Sequence, residues 1–191
     1  MNINDLIKKN RSYRRFYEDE KVDTETLKDL VNLTRLSPSA ANLQPLKFIL
    51  SATPEKNAGI FPNLAWAGYL KDWDGPEKGE RPSAYIIILG DTEISENFHC
   101  DHGFAAQSIL LGAVEKDLGG CIIGSVKRID LRRKLNIPLR YEILLVIALG
   151  KPREEVVLED MAENGDIRYW RDKNQVHHVP KRPLNELILK L

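Results

Sequence analysis

The sequence is poor in cysteine and has no long hydrophobic run. Only Cys100 and Cys121 occur among its 191 residues, whereas secreted chains of this size usually carry several paired cysteines. The N-terminal stretch has no apolar segment of the kind that signal peptides contain. The longest apolar runs, Ala84–Leu89 and Ile143–Leu149, are far shorter than the ~20 residues that a membrane span needs. We therefore expect a soluble, cytoplasmic protein without a membrane segment.

The sequence also lacks an excess of charge of either sign. Lys and Arg number 28, as do Asp and Glu, which argues against a protein that binds nucleic acid over its whole surface. The charges are nevertheless separated along the chain. Residues 1–17 contain five basic residues and one acidic residue, whereas residues 49–100 contain four basic and eight acidic ones. Two arginines and a hydroxyl, at Arg11, Ser12 and Arg14, follow a short predicted helix and could converge on one phosphate group.

Motifs for a metal or for classical dinucleotide binding are missing. Residues 99–102 (His-Cys-Asp-His) place four potential ligands together, but adjacent helical residues face apart and no Cys-x-x-Cys or His-Glu-x-x-His spacing occurs. No Gly-x-Gly-x-x-Gly follows a predicted strand. We therefore expect no metal site and no Rossmann domain, and we expect Cys100 and Cys121 to be buried and His177 and His178 to be exposed.

Hydrophobic periodicity predicts alternating helices and strands over residues 1–150. Helices are expected near residues 3–9, from an N-cap at Asp23 up to Ser37, and over residues 98–118, where Gly119-Gly120 would end the central helix. Strands are expected at 46–51, 84–90, 121–123 and 141–149. The polar, Gly- and Pro-rich stretch 71–82 is typical of a lid loop. Residues 151–191 carry eight basic and eight acidic residues and are expected to wrap a partner subunit.

Five segments in order resemble the signature elements of the nitroreductase family of FMN-dependent oxidoreductases. They are NRSYRRF at 10–16, SPSAANLQP at 37–45, GGCIIG at 119–124, the strand at 141–150 with Lys151-Pro152, and VPKRPL at 179–184. The resemblance implies an α+β fold with a central, mostly antiparallel sheet flanked by helices. It also implies a homodimer with an FMN-binding core at 1–150 and an extension of the same domain, 151–191, that lies over the partner.

The resemblance further implies a role for each matching residue. The first and last elements would hold the FMN phosphate and ribityl chain, and the second would reach the flavin from the partner subunit. The third would place the backbone N–H groups of two residues near flavin N5, and Arg14 would stabilise the reduced ring at its N1/O2 edge. The implied cofactor-binding residues are Arg11, Ser12, Arg14, Pro38, Ser39, Ala40, Asn42, Gln44, Ile123, Gly124, Lys181 and Arg182. Asn10 and Leu46 depart from the family pattern.

The activity that the resemblance implies is ping-pong transfer of hydride from NADH or NADPH, through FMN, to a nitroaromatic, a quinone or a similar electron-poor acceptor. No side-chain acid or nucleophile is required, because the flavin carries the chemistry. Trp73 and Tyr69 are candidates for contact with substrate at the lid loop. Two alternatives stay open: a flavin-binding or flavin-sequestering protein without turnover, and an enzyme of the same fold that fragments flavin or dehalogenates aromatics.

Overall fold

A five-stranded antiparallel sheet organises the chain. The computed structural model describes residues 1–163 and 165–189. The sheet has the order β1-β5-β3-β2, and β4 pairs with β5 beside this path, with every pairing antiparallel. Its strands are β1 (Phe16–Tyr17), β2 (Leu46–Ser51), β3 (Ala84–Asp91), β4 (Gly119–Ile123) and β5 (Tyr141–Pro152). The α+β class and the mostly antiparallel sheet are confirmed.

Helices cover both faces of this sheet. They are α1 (Ile3–Lys9), α2 (Thr24–Arg35), α3 (Pro54–Ile60), α4 (Asp101–Glu115), α5 (Arg128–Leu135) and α6 (Leu184–Leu187), with 3-10 turns at Ala40–Asn42 and Phe61–Asn63. One face of β3 packs on α2 and α4, through Leu30, Ile86 and Ile109. The other face packs on α5, through Ile87 and Leu131. Burial on both faces explains why β3 is apolar at successive positions rather than at alternate ones.

The ends of the helices follow local chemistry. The Asp23 carboxylate accepts a hydrogen bond from the Thr26 N–H over 2.7 Å and caps α2 as predicted. The central helix α4 is shorter than predicted, since it ends at Glu115. A methyl group at Gly112 would lie 2.3 Å from the Leu33 side chain, so glycine allows α2 to approach α4 closely.

Gly119 and Gly120 do not end the central helix, as the sequence suggested, but begin strand β4. A methyl group at Gly120 would lie 2.5 Å from the carbonyl oxygen of Ala148, and one at Gly119 would lie 2.5 Å from the Tyr13 ring. Glycine is therefore required at both positions by close packing across the strand. Glycine is favoured both after the end of a helix and in a closely packed strand. The Gly119-Gly120 pair therefore did not distinguish the two, and the prediction of a helix end was wrong.

The C-terminal residues up to 181 fold back onto their own chain. Three strands, β6 (Val156–Asp160), β7 (Trp170–Arg171) and β8 (His177–Lys181), form a second sheet of order β6-β8-β7. Arg171 of β7 lies over the Trp73 ring, and Tyr169, just before β7, contacts the Tyr69 ring, so this part of the chain packs on the body of the same subunit. This arrangement differs from the expectation that the whole segment 151–191 lies over a partner.

The segment after β8 is different, because its apolar side chains have little cover. Leu184, Leu187, Ile188 and Leu189 are each at least 60% exposed. For this segment, docking on a partner remains a prediction. Among the described residues, every helix is too short or too polar to cross a lipid bilayer.

Candidate functional site

A cleft runs beside strand β4, which is hydrogen-bonded as a strand on one side only. On its other side, the Tyr13 N–H donates to the Gly120 carbonyl over 3.0 Å, within a single bridge between Ser12 and Gly120. Two adjoining cavities, of about 330 and 210 Å³, lie along the rest of this edge and share Arg14 and Ile122 in their walls. We call the two cavities together the β4 cleft. The larger one falls within the usual volume range of small-molecule sites.

The larger cavity is cationic. Arg11, Ser12, Arg14 and Lys181 line it together, so the first and last signature elements converge in space. Among the described residues, no Asp or Glu lines either cavity. The cleft therefore presents three positive charges without a carboxylate in its wall.

Arg11 has no acidic partner within residues 1–163 and 165–189. Its Nη2 donates to the Ile7 carbonyl over 2.6 Å, while its Nε is buried and has no hydrogen-bond partner among the residues that the structure describes. Burial lowers the pKa of the Arg11 guanidinium, because desolvation disfavours the charged form. An anion in the cavity would offset this cost and would supply the missing acceptor.

Arg14 lies where the two cavities meet, and its guanidinium is held from three directions. Its Nη1 donates to the Ser12 carbonyl over 3.2 Å and faces His177 Nε2, also at 3.2 Å. The guanidinium also lies 4.9 Å from the centre of the Tyr169 ring. These contacts fix its direction without neutralising its charge.

A buried carboxylate holds the backbone beneath Arg14. The Glu154 side chain has no exposed surface and accepts hydrogen bonds from the backbone N–H groups of Arg14 and Arg15. Arg171 neutralises it across 2.9 Å and in turn covers the Trp73 ring at 4.2 Å. Sequence reasoning missed Glu154 and Arg171, which stand in a polar segment without a recognisable motif.

His177 is buried, contrary to the expectation of an exposed tail residue. It retains 1% of its surface, and burial lowers its pKa to about 4, with Arg14 and Arg171 acting in the same direction. Since Arg14 donates to Nε2, the neutral ring carries its proton on Nδ1, which is buried without a partner among the described residues. Side chains alternate between the two faces of a strand, and His177 and Val179 of β8 both face the cleft. This alternation could have indicated from the sequence that His177 is buried.

The glycine-rich element lines the smaller cavity. Gly124 lies in its wall, and a methyl group there would meet only Leu145, at 3.9 Å. Ile123 is buried and pairs with Val146 of β5. The Gly120 carbonyl faces away from β5, so alternation directs the peptide groups of Ile122, rather than those of Ile123, to the open edge. The peptide groups of Ile122 therefore face the cleft, and a role for the N–H groups of Ile123 and Gly124 beside a flavin stays a prediction.

The second signature element lies elsewhere in the subunit. Pro38, Ser39, Asn42 and Gln44 line a separate cavity of about 240 Å³, and neither they nor Ala40 line the β4 cleft. Contact between this element and a flavin in the partner subunit stays a prediction.

A buried carboxylate also shapes this second element. Asp101 accepts hydrogen bonds from the Ser39 hydroxyl over 2.6 Å and from the Ala40 N–H over 2.9 Å. Asn42 and Gln44 adopt left-handed backbone conformations, with φ of 56° and 52°, and the Gln44 amide donates to Asn42. The loop therefore has a defined shape before any partner arrives.

The remaining candidate residues are placed as follows. Arg182 forms an ion pair with Glu186 over 3.1 Å and does not line the cleft. Tyr69 is half exposed, with its ring 4.9 Å from that of Tyr169 at the edge of the cleft. Trp73 is half-buried beneath Arg171 and packs on the core, so it is not a free lid side chain.

The cysteines and the potential metal ligands are dispersed. Cys121 is buried as expected, but Cys100 is exposed. The described part of the chain contains no group of three or more His, Cys, Asp or Glu placed to hold a metal ion.

Known proteins share this sequence pattern and this fold. A family model described as "Nitroreductase family" matches residues 7–151. A Bacillus subtilis (strain 168) protein called "Putative NAD(P)H nitroreductase YodC" is 26% identical over 180 aligned positions, which cover 78% of this chain and 89% of that protein.

Two solved structures illustrate the structural match. An FMN-dependent nitroreductase from Clostridium difficile R20291 is 26% identical with a TM-score of 0.62, over 78% of this chain and 87% of that one. A nitroreductase family protein from Streptococcus pneumoniae TIGR4 is 19% identical with a TM-score of 0.73, over 100% of both chains, and shows the fold alone. The family match spans most of the chain and includes Arg11, Ser12, Arg14 and strand β4 of the cleft, although not Lys181, so this chain belongs to the nitroreductase family of oxidoreductases.

Proposed function

We propose that this protein is an FMN-dependent oxidoreductase that uses NADH or NADPH to reduce nitroaromatics, quinones or similar electron-poor acceptors by a ping-pong mechanism. The observation that carries the proposal is the cationic wall of the β4 cleft, where Arg11, Arg14 and Lys181 converge without a carboxylate. The names of the relatives from B. subtilis and C. difficile support the choice of cofactor and electron donor.

The residues of the cleft fit FMN. The unpartnered Nε of Arg11, the Ser12 hydroxyl and Lys181 would hold the phosphate, since guanidinium and ammonium groups form charge-assisted bonds with phosphate oxygens. Gly124 and the open edge at Ile122 offer a flat surface and backbone donors for the ring. Arg182, which is paired with Glu186, would not take part unless that ion pair opened.

When bound, FMN would accept hydride from the nicotinamide and then deliver it to the acceptor. Arg14, held at the junction of the two cavities, would place a positive charge where negative charge develops on reduction. Tyr69 and Tyr169 would form an aromatic wall beside which planar donors and acceptors could lie.

We further propose a cytoplasmic homodimer in which each subunit completes the site of the other. The loop around Ser39 and Asn42 is pre-shaped by Asp101 and would approach the partner's flavin, while the segment from Leu184 onward would cover the partner's surface. Residues 1–150 would act as the FMN-binding core and residues 151–191 as an extension of the same domain. The exposed leucines near the C-terminus support this assembly, because apolar clusters of this kind mark interaction surfaces.

An anaerobic titration tests the proposal. NADH and NADPH are added separately to the FMN-loaded protein, and bleaching of the visible flavin band is followed, before a nitroaromatic or a quinone is admitted. We expect one or both donors to bleach the flavin and the acceptor to restore its colour. Failure of both donors would leave a flavin-sequestering protein as the better description. Oxygen-dependent loss of the flavin itself would indicate fragmentation, and halide release from a halogenated aromatic would indicate dehalogenation.

A pair of variants then tests the site. The double substitution Arg11→Gln and Arg14→Gln should release FMN, whereas Arg133→Gln removes an exposed charge from α5 and should not. A double variant that keeps FMN with unchanged affinity would show that the cofactor is not held at this end of the cleft.

A further inference from the structure

A second cavity, of about 440 Å³, lies on another part of the molecule. It is formed by residues that follow β1, by the start of α3 and by the start of β3, and it shares no lining residue with the β4 cleft. We call it the Arg81 cavity, after the guanidinium that lines it together with Ser83, Tyr85 and Phe61. Its volume is within the range of small-molecule sites.

The Arg81 guanidinium has no acidic partner in the part of the chain that the structure describes. It lies over the Phe61 ring, with 4.2 Å between Cζ and the ring centre, and its buried Nε has no hydrogen-bond partner among the described residues. This contact occupies one flat face of the guanidinium and leaves its Nη groups, which are not among the buried atoms, available at the edge. Such edges match the two oxygens of a carboxylate.

Two hydroxyl groups of the same cavity have no hydrogen-bond partner among the described residues. Ser83 is 8% exposed, and its buried Oγ has no partner in the described part of the chain, although its backbone carbonyl accepts from Asn57 over 2.7 Å. Tyr85 is 1% exposed, and its hydroxyl forms no hydrogen bond with another described residue. Burial raises the pKa of the Tyr85 hydroxyl, so it remains protonated and able to donate.

The other polar groups of the cavity are already engaged or lie at its rim. Glu18 accepts hydrogen bonds from the backbone N–H groups of Gly79 and Arg81, the latter over 3.3 Å. Lys21 and Glu55 are exposed and opposite in charge. The donors of the cavity that lack an acceptor among the described residues are therefore the Arg81 guanidinium and the hydroxyls of Ser83 and Tyr85.

The rest of the cavity wall is apolar. Ala52, Pro54, Ala58, Phe61 and Pro82 supply it. A ligand that satisfied the donors would thus need an anionic oxygen group at one end and an apolar body at the other. A mostly apolar wall with a few polar groups is common in small-molecule sites.

We propose that the Arg81 cavity is a second ligand site, which binds a small organic monocarboxylate. The carboxylate would bind the free edge of the guanidinium and accept from the Ser83 and Tyr85 hydroxyls, and the apolar body would lie between Phe61 and Pro82. Buried donors without acceptors destabilise the unliganded protein, and a carboxylate removes that penalty through charge-assisted hydrogen bonds.

Benzoate is a suitable probe, because it joins one carboxylate to a small apolar ring. The FMN-loaded protein, labelled with ¹⁵N, is titrated with benzoate, and the backbone amide signals of Arg81 and of residues 83–85 are followed by NMR; Pro82 has no amide proton. Benzyl alcohol has the same ring without charge, and inorganic phosphate has charge without an apolar body. We expect benzoate alone to saturate shifts of these amides.

Variants separate this site from any benzoate binding beside the flavin. Arg81→Gln should weaken the benzoate affinity, read from the amide shifts of position 81 and residues 83–85, at least about tenfold, as expected for loss of a charge-assisted pair. Any change in flavin absorbance that benzoate causes should persist in this variant. Arg133→Gln should behave like the parent protein. If Arg81→Gln fails to fold, Arg81→Lys serves instead, since it keeps the charge but loses the planar fork. Tyr85→Phe should also weaken binding.

Several results would overturn the proposal. Unshifted amides at position 81 and residues 83–85, or equal shifts in the parent and in the Arg81 variant, would show that benzoate does not bind here. Equal affinity for benzyl alcohol would show that the cavity binds apolar rings without selectivity for a carboxylate. Equal affinity for phosphate would show that an organic ligand is not required. None of these results depends on whether the flavin is reduced by NAD(P)H.

Discussion

The buried His177 makes the stability of the protein depend on pH in a defined direction. Its folded-state pKa is about 4, against 6.5 for an ordinary histidine, because burial and two neighbouring arginines disfavour the imidazolium. Between these values the unfolded chain binds a proton that the folded chain does not. Folding stability therefore falls as the pH is lowered through this window, and the loss is complete below pH 4.

The magnitude follows from the size of the shift. One pKa unit corresponds to about 1.36 kcal/mol, so the full difference is roughly 3 kcal/mol, and about 2 kcal/mol of it is lost between neutral pH and pH 5. Typical domains are stable by only about 5–15 kcal/mol, so the effect should be readily measurable.

His177→Gln is the informative change, because a glutamine oxygen can accept from Arg14 as Nε2 does while the side chain cannot titrate. Urea unfolding of the parent and the variant is compared at pH 7 and pH 5, at one protein concentration. We expect the parent to lose about 2 kcal/mol more than the variant. His99→Asn, at an exposed left-handed position that asparagine tolerates, should keep the pH dependence of the parent. An equal loss in parent and His177→Gln would refute a buried neutral imidazole.

Three further predictions concern the cofactor, the packing and the assembly. Arg11→Gln alone should weaken FMN binding by about 1.5–3 kcal/mol, roughly 10- to 150-fold, in a fluorescence titration, and Arg133→Gln should leave it unchanged. Gly120→Ala should destabilise by about 1–3 kcal/mol in urea unfolding, because its methyl group would meet a backbone carbonyl of β5, whereas Gly103→Ala meets nothing within 4 Å. Deletion of residues 183–191 should convert the proposed dimer to a monomer in sedimentation analysis, and a truncated dimer would contradict the role given to this segment.

Strong local signals account for what the sequence predicted of the fold. The continuous apolar run Ala84–Leu89 can be stable only between two layers, and it forms the central strand of a sheet covered on both faces. Asp23 caps α2 because a carboxylate before a helical pattern satisfies a free backbone N–H group. In both cases a single requirement, burial of the strand or capping of the helix, determines which residues occur locally, so the sequence alone predicts the element.

The second sheet could not be predicted in this way, because polar contacts hold it together. Glu154 and Arg171 form a buried ion pair, and the rings of Trp170 and His178 stack with 4.1 Å between their centres. Hydrophobic periodicity does not detect ion pairs or ring stacking. Residues 151–191 were therefore expected to need another subunit for their stability. The family model matches only residues 7–151, and the resemblance at 179–184 implied a position over the partner rather than a second sheet in the same subunit.

The net charge of zero becomes informative once each charge is assigned a partner. Arg15 belongs to the basic N-terminal cluster, but it is bound by Glu80 through two hydrogen bonds of 2.7 and 2.6 Å, and this contact lowers the pKa of the Glu80 carboxyl. Arg171 is likewise bound by Glu154. The acidic residues of the middle segment and the tail thus neutralise arginines that support the fold. Arg11 is left without a carboxylate partner among the described residues, so the charge available to a cofactor is smaller and more localised than a count of basic residues indicates.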